Sequence, residues 1–176
     1  KLQKLDIGNN TVLSTLFCEY TQLTSLNTSN NTSLKKLYCS HSNLETLDVS
    51  NNTELVDLYC DCNQLKTLDV SNNTKLEYLS CEKNQLTSLD VSNNTELTKL
   101  YCSNNTYKIS LTDGKFDLST LPAGFDIAKA SEWTNATVEG NILTIEDASK
   151  PITYKYDCGY GVSETFTLIP QVSEEI

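Results

Sequence analysis

The sequence predicts a mainly β solenoid of short parallel strands, followed by a small C-terminal antiparallel β domain. Three observations carry this reading. Cys18, Cys39, Cys60, Cys81 and Cys102 recur every 21 residues, a strict period that marks a stacked structural unit. Leucines keep the same period on both sides of each cysteine, as in Leu55, Leu58, Leu65 and Leu68. No window sustains the i, i+3, i+4, i+7 apolar pattern of a regular helix.

Each unit has two halves. The first reads Leu-x-x-Leu-x-Cys-x-x-Asn (Leu55, Leu58, Cys60, Asn63), and the second Leu-x-x-Leu-x-Val-x-x-Asn (Leu65, Leu68, Val70, Asn73). The alternation around the cysteine predicts one short strand per turn, stacked in parallel about 4.8 Å from the next. The second half predicts another short strand or an extended segment. One turn cannot bury its own leucines, so neighbouring turns bury them jointly. Asn63, Asn84 and Asn105 are expected inward, bonding backbone groups that a tight turn strands in a dry core. Thr21 and Ser42 occupy that column in earlier turns and are shorter, so the ladder there is expected to be less completely bonded.

The cysteine column reads as packing. No C-x-x-C pair signals a metal, so no metal or cofactor is expected. Stacked neighbours lie near bridging distance, but they point the same way and the total of seven is odd. Buried cysteine acts as a small hydrophobe. Cys62 and Cys158 lie outside the column. Cys62 is expected to face outward or into the turn, as a reactive thiol or an incidental substitution, and Cys158, at a Gly-rich hairpin tip, is read the same way.

The solenoid is assigned to residues 1–106. Residues 107–170 read as a small β cap: strands at Lys108–Leu111, Thr137–Val138, Ile142–Ile145, Ile152–Tyr156 and Glu164–Ile169, with turns at Asp113-Gly114, Glu139-Gly140-Asn141 and Cys158-Gly159-Tyr160-Gly161. The stretch Leu121–Trp133 is expected to be irregular or to hold one helical turn, with Trp133 filling the small core. Residues 171–176 read as a linker or tail. Because Leu2, Leu5 and Ile7 are already core positions, the start reads as a trimmed chain that has lost a leader and an N-terminal cap.

The repeat, with Asp48-Val49-Ser50-Asn51-Asn52-Thr53 and its copies at Asp69 and Asp90, resembles the leucine-rich repeat family. More narrowly, it resembles the 21-residue bacterial class of the internalin J group of surface proteins. The likeness covers about residues 2–106. It implies a right-handed superhelix, an immunoglobulin-like domain after the repeats, and export to the bacterial surface or beyond. It also implies an adhesive role, with the first-half strands lining a concave face.

Charge narrows the partners. The chain carries 13 lysines, 23 acids and no arginine, for a net charge of −10. Nucleic-acid binding requires a basic stripe, so that class is rejected. The acidic balance offers anionic membranes no attraction, and no apolar run can span a bilayer. Catalysis has little support: His41 is the sole histidine, and no nucleophile or phosphate-loop motif occurs. Abundant acids leave a glycoside hydrolase as a third reading, with no two carboxylates singled out.

The candidate site is the outward face of the first-half strands. Phe17, Tyr38, Tyr59, Ser80 and Tyr101 form one column, and Thr15, Lys36, Asp57, Tyr78 and Lys99 another. Tyrosine suits recognition, offering contact area and a polar tip at low entropy cost. The alternative is that stacked rings only stabilise the sheet. On the first reading the chain is a non-enzymatic, monomeric module binding a host or neighbouring-cell protein, glycoprotein or glycan. On the second it is a spacer projecting another domain. The column Asp6, Asn27, Asp48, Asp69 and Asp90 could hold calcium, but hydrogen bonds to adjacent Ser and Asn groups account for it more simply. The recurrent Asn-Asn-Thr sequons are a by-product of that turn chemistry.

Overall fold

The structure, a computed structural model, describes residues 1–171. The repeats form a β solenoid. Its first-half strands are β1 (Thr15–Phe17), β2 (Lys36–Tyr38), β3 (Asp57–Tyr59), β4 (Tyr78–Ser80) and β5 (Lys99–Tyr101). They make one parallel sheet in sequence order, each residue pairing with the one 21 positions on. The second halves form no strand, only one isolated bridge between Asn27 and Asp48, and their bends and turns return the chain to the next strand.

The core lies between the two halves. Leu34, Leu37, Leu44, Leu55, Leu58 and Leu65 are fully buried, and Cys39, Cys60 and Cys81 lie among them. Two asparagine ladders bond the turns. In the first, Asn63 Oδ1 accepts from the Leu44 amide (3.0 Å), and Nδ2 donates to the carbonyls of Cys39 and Cys60 (3.0 Å each). Asn84 and Asn105 repeat this pattern one and two turns on. Thr21 and Ser42 instead bond mainly each other (2.7 Å), with Ser42 reaching the Cys18 carbonyl only at 3.5 Å. In the second ladder Asn31, Asn52, Asn73 and Asn94 each donate to two carbonyls of the preceding turn.

Seven further strands follow: β6 (Thr106–Ser110), β7 (Lys115–Asp117), β8 (Ala130–Thr134), β9 (Ala136–Glu139), β10 (Ile142–Ile145), β11 (Ile152–Gly159) and β12 (Val162–Gln171). They form a sheet ordered β7-β10-β9 and another ordered β6-β12-β11-β8. The second sheet is mixed, which corrects the purely antiparallel expectation: β6 pairs β12 in parallel. Parallel partners need a long crossover, and the chain between β6 and β12 supplies it. Strand β6 takes Thr106 from the segment assigned to the solenoid, and β12 takes Gln171 from the segment read as a tail. Residues 172–176 lie outside the described residues.

Strands β7 and β8 were not expected. Leu121–Trp133 holds a 3₁₀ turn at Ile127–Lys129 after another at Leu118–Thr120, and ends inside β8. The Tyr160-Gly161 loop has positive φ at both residues (54° and 74°), the type I′ geometry that matches strand twist. Trp133 stacks on the buried Tyr154 at 4.5 Å, and the Tyr154 hydroxyl donates to the Thr87 carbonyl (2.6 Å), tying cap core to solenoid. The Val91 amide donates to the Cys158 carbonyl (2.8 Å). Next to this contact, Gly159 (φ +86°) lies so close to Ser92 that a Cβ would meet it at 2.9 Å.

Candidate functional site

Strand pairing places side chains of one column a strand spacing apart on the outward face. Phe17 stacks on Tyr38 (4.5 Å between ring centroids) and Tyr38 on Tyr59 (4.7 Å). The next residue in register is Ser80, which is small and buried. The gap is filled from the neighbouring column. Tyr78 stacks on Tyr59 at 4.4 Å and lies 5.5 Å from Tyr101, tilted. Five rings thus form one continuous stack, with Phe17 69% and Tyr101 45% exposed at its ends. Partial burial, then the hydrogen bond and charge of Tyr59, push the Tyr78 hydroxyl up to about 12.

Charged groups flank the stack. Lys36 Nζ pairs with Asp57 Oδ2 at 2.6 Å, and Lys99 Nζ sits 5.9 Å from the Tyr78 ring centroid, within cation–π range. The Asp57 hydrogen bond and charge hold the Lys36 ammonium above its ordinary pKa. The sequence placed Tyr78 on this candidate binding face but in the neighbouring column. The signal for its bridging role was the lone serine in an aromatic column with a tyrosine two residues earlier.

The cysteine column lies behind this sheet. All five of its thiols are buried and free, and burial is the main reason Cys18, Cys39 and Cys60 sit above the ordinary thiol range. Cys81 is raised first by its hydrogen bond to Cys102 and then by burial. Thiols raised in this way are not poised thiolates. Cys158 is also fully buried, which corrects its reading as an exposed hairpin-tip thiol: burial and the nearby Cys102 push it up to about 12. It continues the inward alternation of β11, in which Ile152, Tyr154 and Tyr156 are the other buried positions.

The aspartate column serves the turns. Asp6, Asn27, Asp48, Asp69 and Asp90 each accept from the backbone amide two residues on, at 2.9–3.0 Å. Bonds from Ser50 and Ser92 hold Asp48 and Asp90 below the usual carboxylate range.

A second outward column follows the cysteines. Tyr20, His41, Cys62, Lys83 and Asn104 all have left-handed backbone, φ 52–58°. The first four donate their amides to the next turn at 2.9–3.1 Å, which holds them there. Tyr20 stacks on His41 at 4.6 Å, and His41, Asp61 and Cys62 bring their ligating atoms within 4.8 Å of one another. Sequence spacing did not show this cluster, because its members come from adjacent turns.

No protein-family model matches this chain, and no curated protein matches it. Among solved structures it is similar to the functional domain of InlJ from Listeria monocytogenes, described as including a cysteine ladder. The identity is 19% and the TM-score 0.44, and the match covers 97% of this chain and 60% of that one. Among the described residues no helix is long and apolar enough to cross a membrane.

Proposed function

We propose that this chain is a leucine-rich repeat module of the 21-residue bacterial class. On this reading it belongs to a secreted or cell-surface protein and binds a host or neighbouring-cell protein, glycoprotein or glycan without catalysing a reaction. The observation that carries the reading is the five-ring stack on the open face of the parallel sheet. A continuous aromatic surface, half-buried along its middle and exposed at both ends, flanked by Lys36, Asp57 and Lys99, has the composition of a recognition surface. The cap strands support an immunoglobulin-like relative: lettered A to G from β6 to β12, the sheets read B-E-D and C-F-G, with A moved to the G edge.

The test is a protein and glycan array probed with the wild-type chain and with a Tyr38→Ser, Tyr59→Ser, Tyr101→Ser triple variant. Binding by the wild type that the folded variant loses supports the reading. Equal binding by both places the recognition surface elsewhere. No binding by either favours the spacer, for which ring stacking at about 0.2–1 kcal/mol a pair would be sufficient reason.

A further inference from the structure

We propose that His41, Asp61 and Cys62 bind a thiophilic divalent transition-metal ion of zinc-like ligand preference. The three residues come from two consecutive turns and converge at the edge of the solenoid just beyond β2 and β3. His41 Nε2 lies 3.9 Å from Asp61 Oδ2, and with the Cys62 Sγ all three ligand atoms fall within 4.8 Å of one another. Metal bonds of about 2.0–2.3 Å in a tetrahedron set ligand atoms roughly 3.3–3.8 Å apart, so small side-chain rotations complete the set.

Two features prepare the site. The Asp61 carboxylate is oriented from behind: its Oδ1 accepts from the hydroxyls of Ser40 (2.6 Å) and Ser80 (3.1 Å), both buried, leaving Oδ2 toward His41. Such outer contacts fix ligand direction in metal centres. The His41 ring is set by its stack on Tyr20, with planes 9° apart. Access is open, since His41 is 43% exposed and Cys62 is the one cysteine that is not buried. Both residues sit at left-handed φ, where glycine or asparagine is the cheaper choice.

The donor set selects the ion. Imidazole nitrogen and thiolate sulfur favour zinc, cobalt or copper over calcium and magnesium. On binding, the Cys62 thiol gives its proton to solvent as the sulfur–metal bond forms. Three protein ligands leave a fourth position to water or an incoming donor. Burial, and then the Asp61 charge, raise the Cys62 thiol above its ordinary value, and Lys83, the next residue of the column, is the nearby cation that opposes them.

Co²⁺ titration of the whole reduced chain tests the site. The expected result is a thiolate-to-cobalt charge-transfer band that saturates at one equivalent and is bleached by Zn²⁺. Cys62→Ser should abolish the band, and Asp61→Asn and His41→Asn should each weaken Co²⁺ binding at least tenfold. Lys83→Ala should bind at least as tightly as wild type. Absence of the band at millimolar Co²⁺, its survival in Cys62→Ser, or unchanged affinity in His41→Asn overturns the proposal. Asparagine tolerates left-handed backbone, so His41→Asn keeps the test sound if another variant misfolds.

Discussion

Replacing Asn63 by alanine removes one acceptor and three donor contacts, the weakest of them to Asp61 at 3.4 Å, from the middle of the first ladder. The Leu44 amide and the Cys39 carbonyl, both in fully buried residues, then lose their side-chain partner, while the Cys60 carbonyl keeps the bond from Asn84 Nδ2 (3.0 Å). A buried polar group left without its partner costs about 1–3 kcal/mol, and two of them cost about 2–4 kcal/mol after partial relaxation. That is a large fraction of the stability of an ordinary domain, about 5–15 kcal/mol. Urea unfolding followed by far-ultraviolet circular dichroism should show a clear fall in midpoint for Asn63→Ala. The reciprocal variant is Ser42→Asn, which places an amide where Ser42 reaches the Cys18 carbonyl only at 3.5 Å. It should raise the midpoint. A loss below about 1 kcal/mol for Asn63→Ala would show that the ladder amides do not carry the turns.

The second ladder offers a test with an internal control. Thr28 donates to Asn52 Oδ1 (2.7 Å), whereas Val49 leaves Asn73 Oδ1, buried, with no donor among the described residues. Val49→Thr should therefore be neutral or stabilising by about 1 kcal/mol, while Val91→Thr, with no asparagine 24 residues on, should destabilise by about 1–3 kcal/mol in the same urea assay. Glu164 gives a pH signature. Burial, and then repulsion from Glu82, raise its carboxyl above 4.5, so the folded state binds the proton more tightly than the unfolded state. Its charge then opposes folding at neutral pH, and that penalty fades as pH falls through the raised value. Glu164→Gln should raise the melting temperature at pH 7 and lose that advantage near and below pH 4.5, the ordinary carboxyl value. An equal gain at both pH values would refute this assignment.

The solenoid was legible because repetition multiplies a weak local signal. A three-residue strand is ambiguous alone, but the same Leu-x-Cys column appearing five times at one interval leaves a single register. The cap was less legible. Its hairpins at Gly140 and Gly161 carry turn chemistry and could be read, whereas Lys115–Asp117 and Ala130–Thr134 lack a repeated pattern and become strands through their partners. Pairing of β6 with β12 joins residues about sixty positions apart, and no local preference encodes it.

The candidate site divides along the same line. Periodicity alone determined that Phe17, Tyr38, Tyr59 and Tyr101 share a face, because each is one residue out of phase with a buried cysteine. It also determined that the column cysteines are packing residues. Only the tertiary structure decided that Tyr78 closes the stack over Ser80 and that His41 meets Asp61 and Cys62. Each depends on where a side chain goes after its backbone is placed. That choice is made by the space and partners of the adjacent turn, which the spacing along one chain does not record.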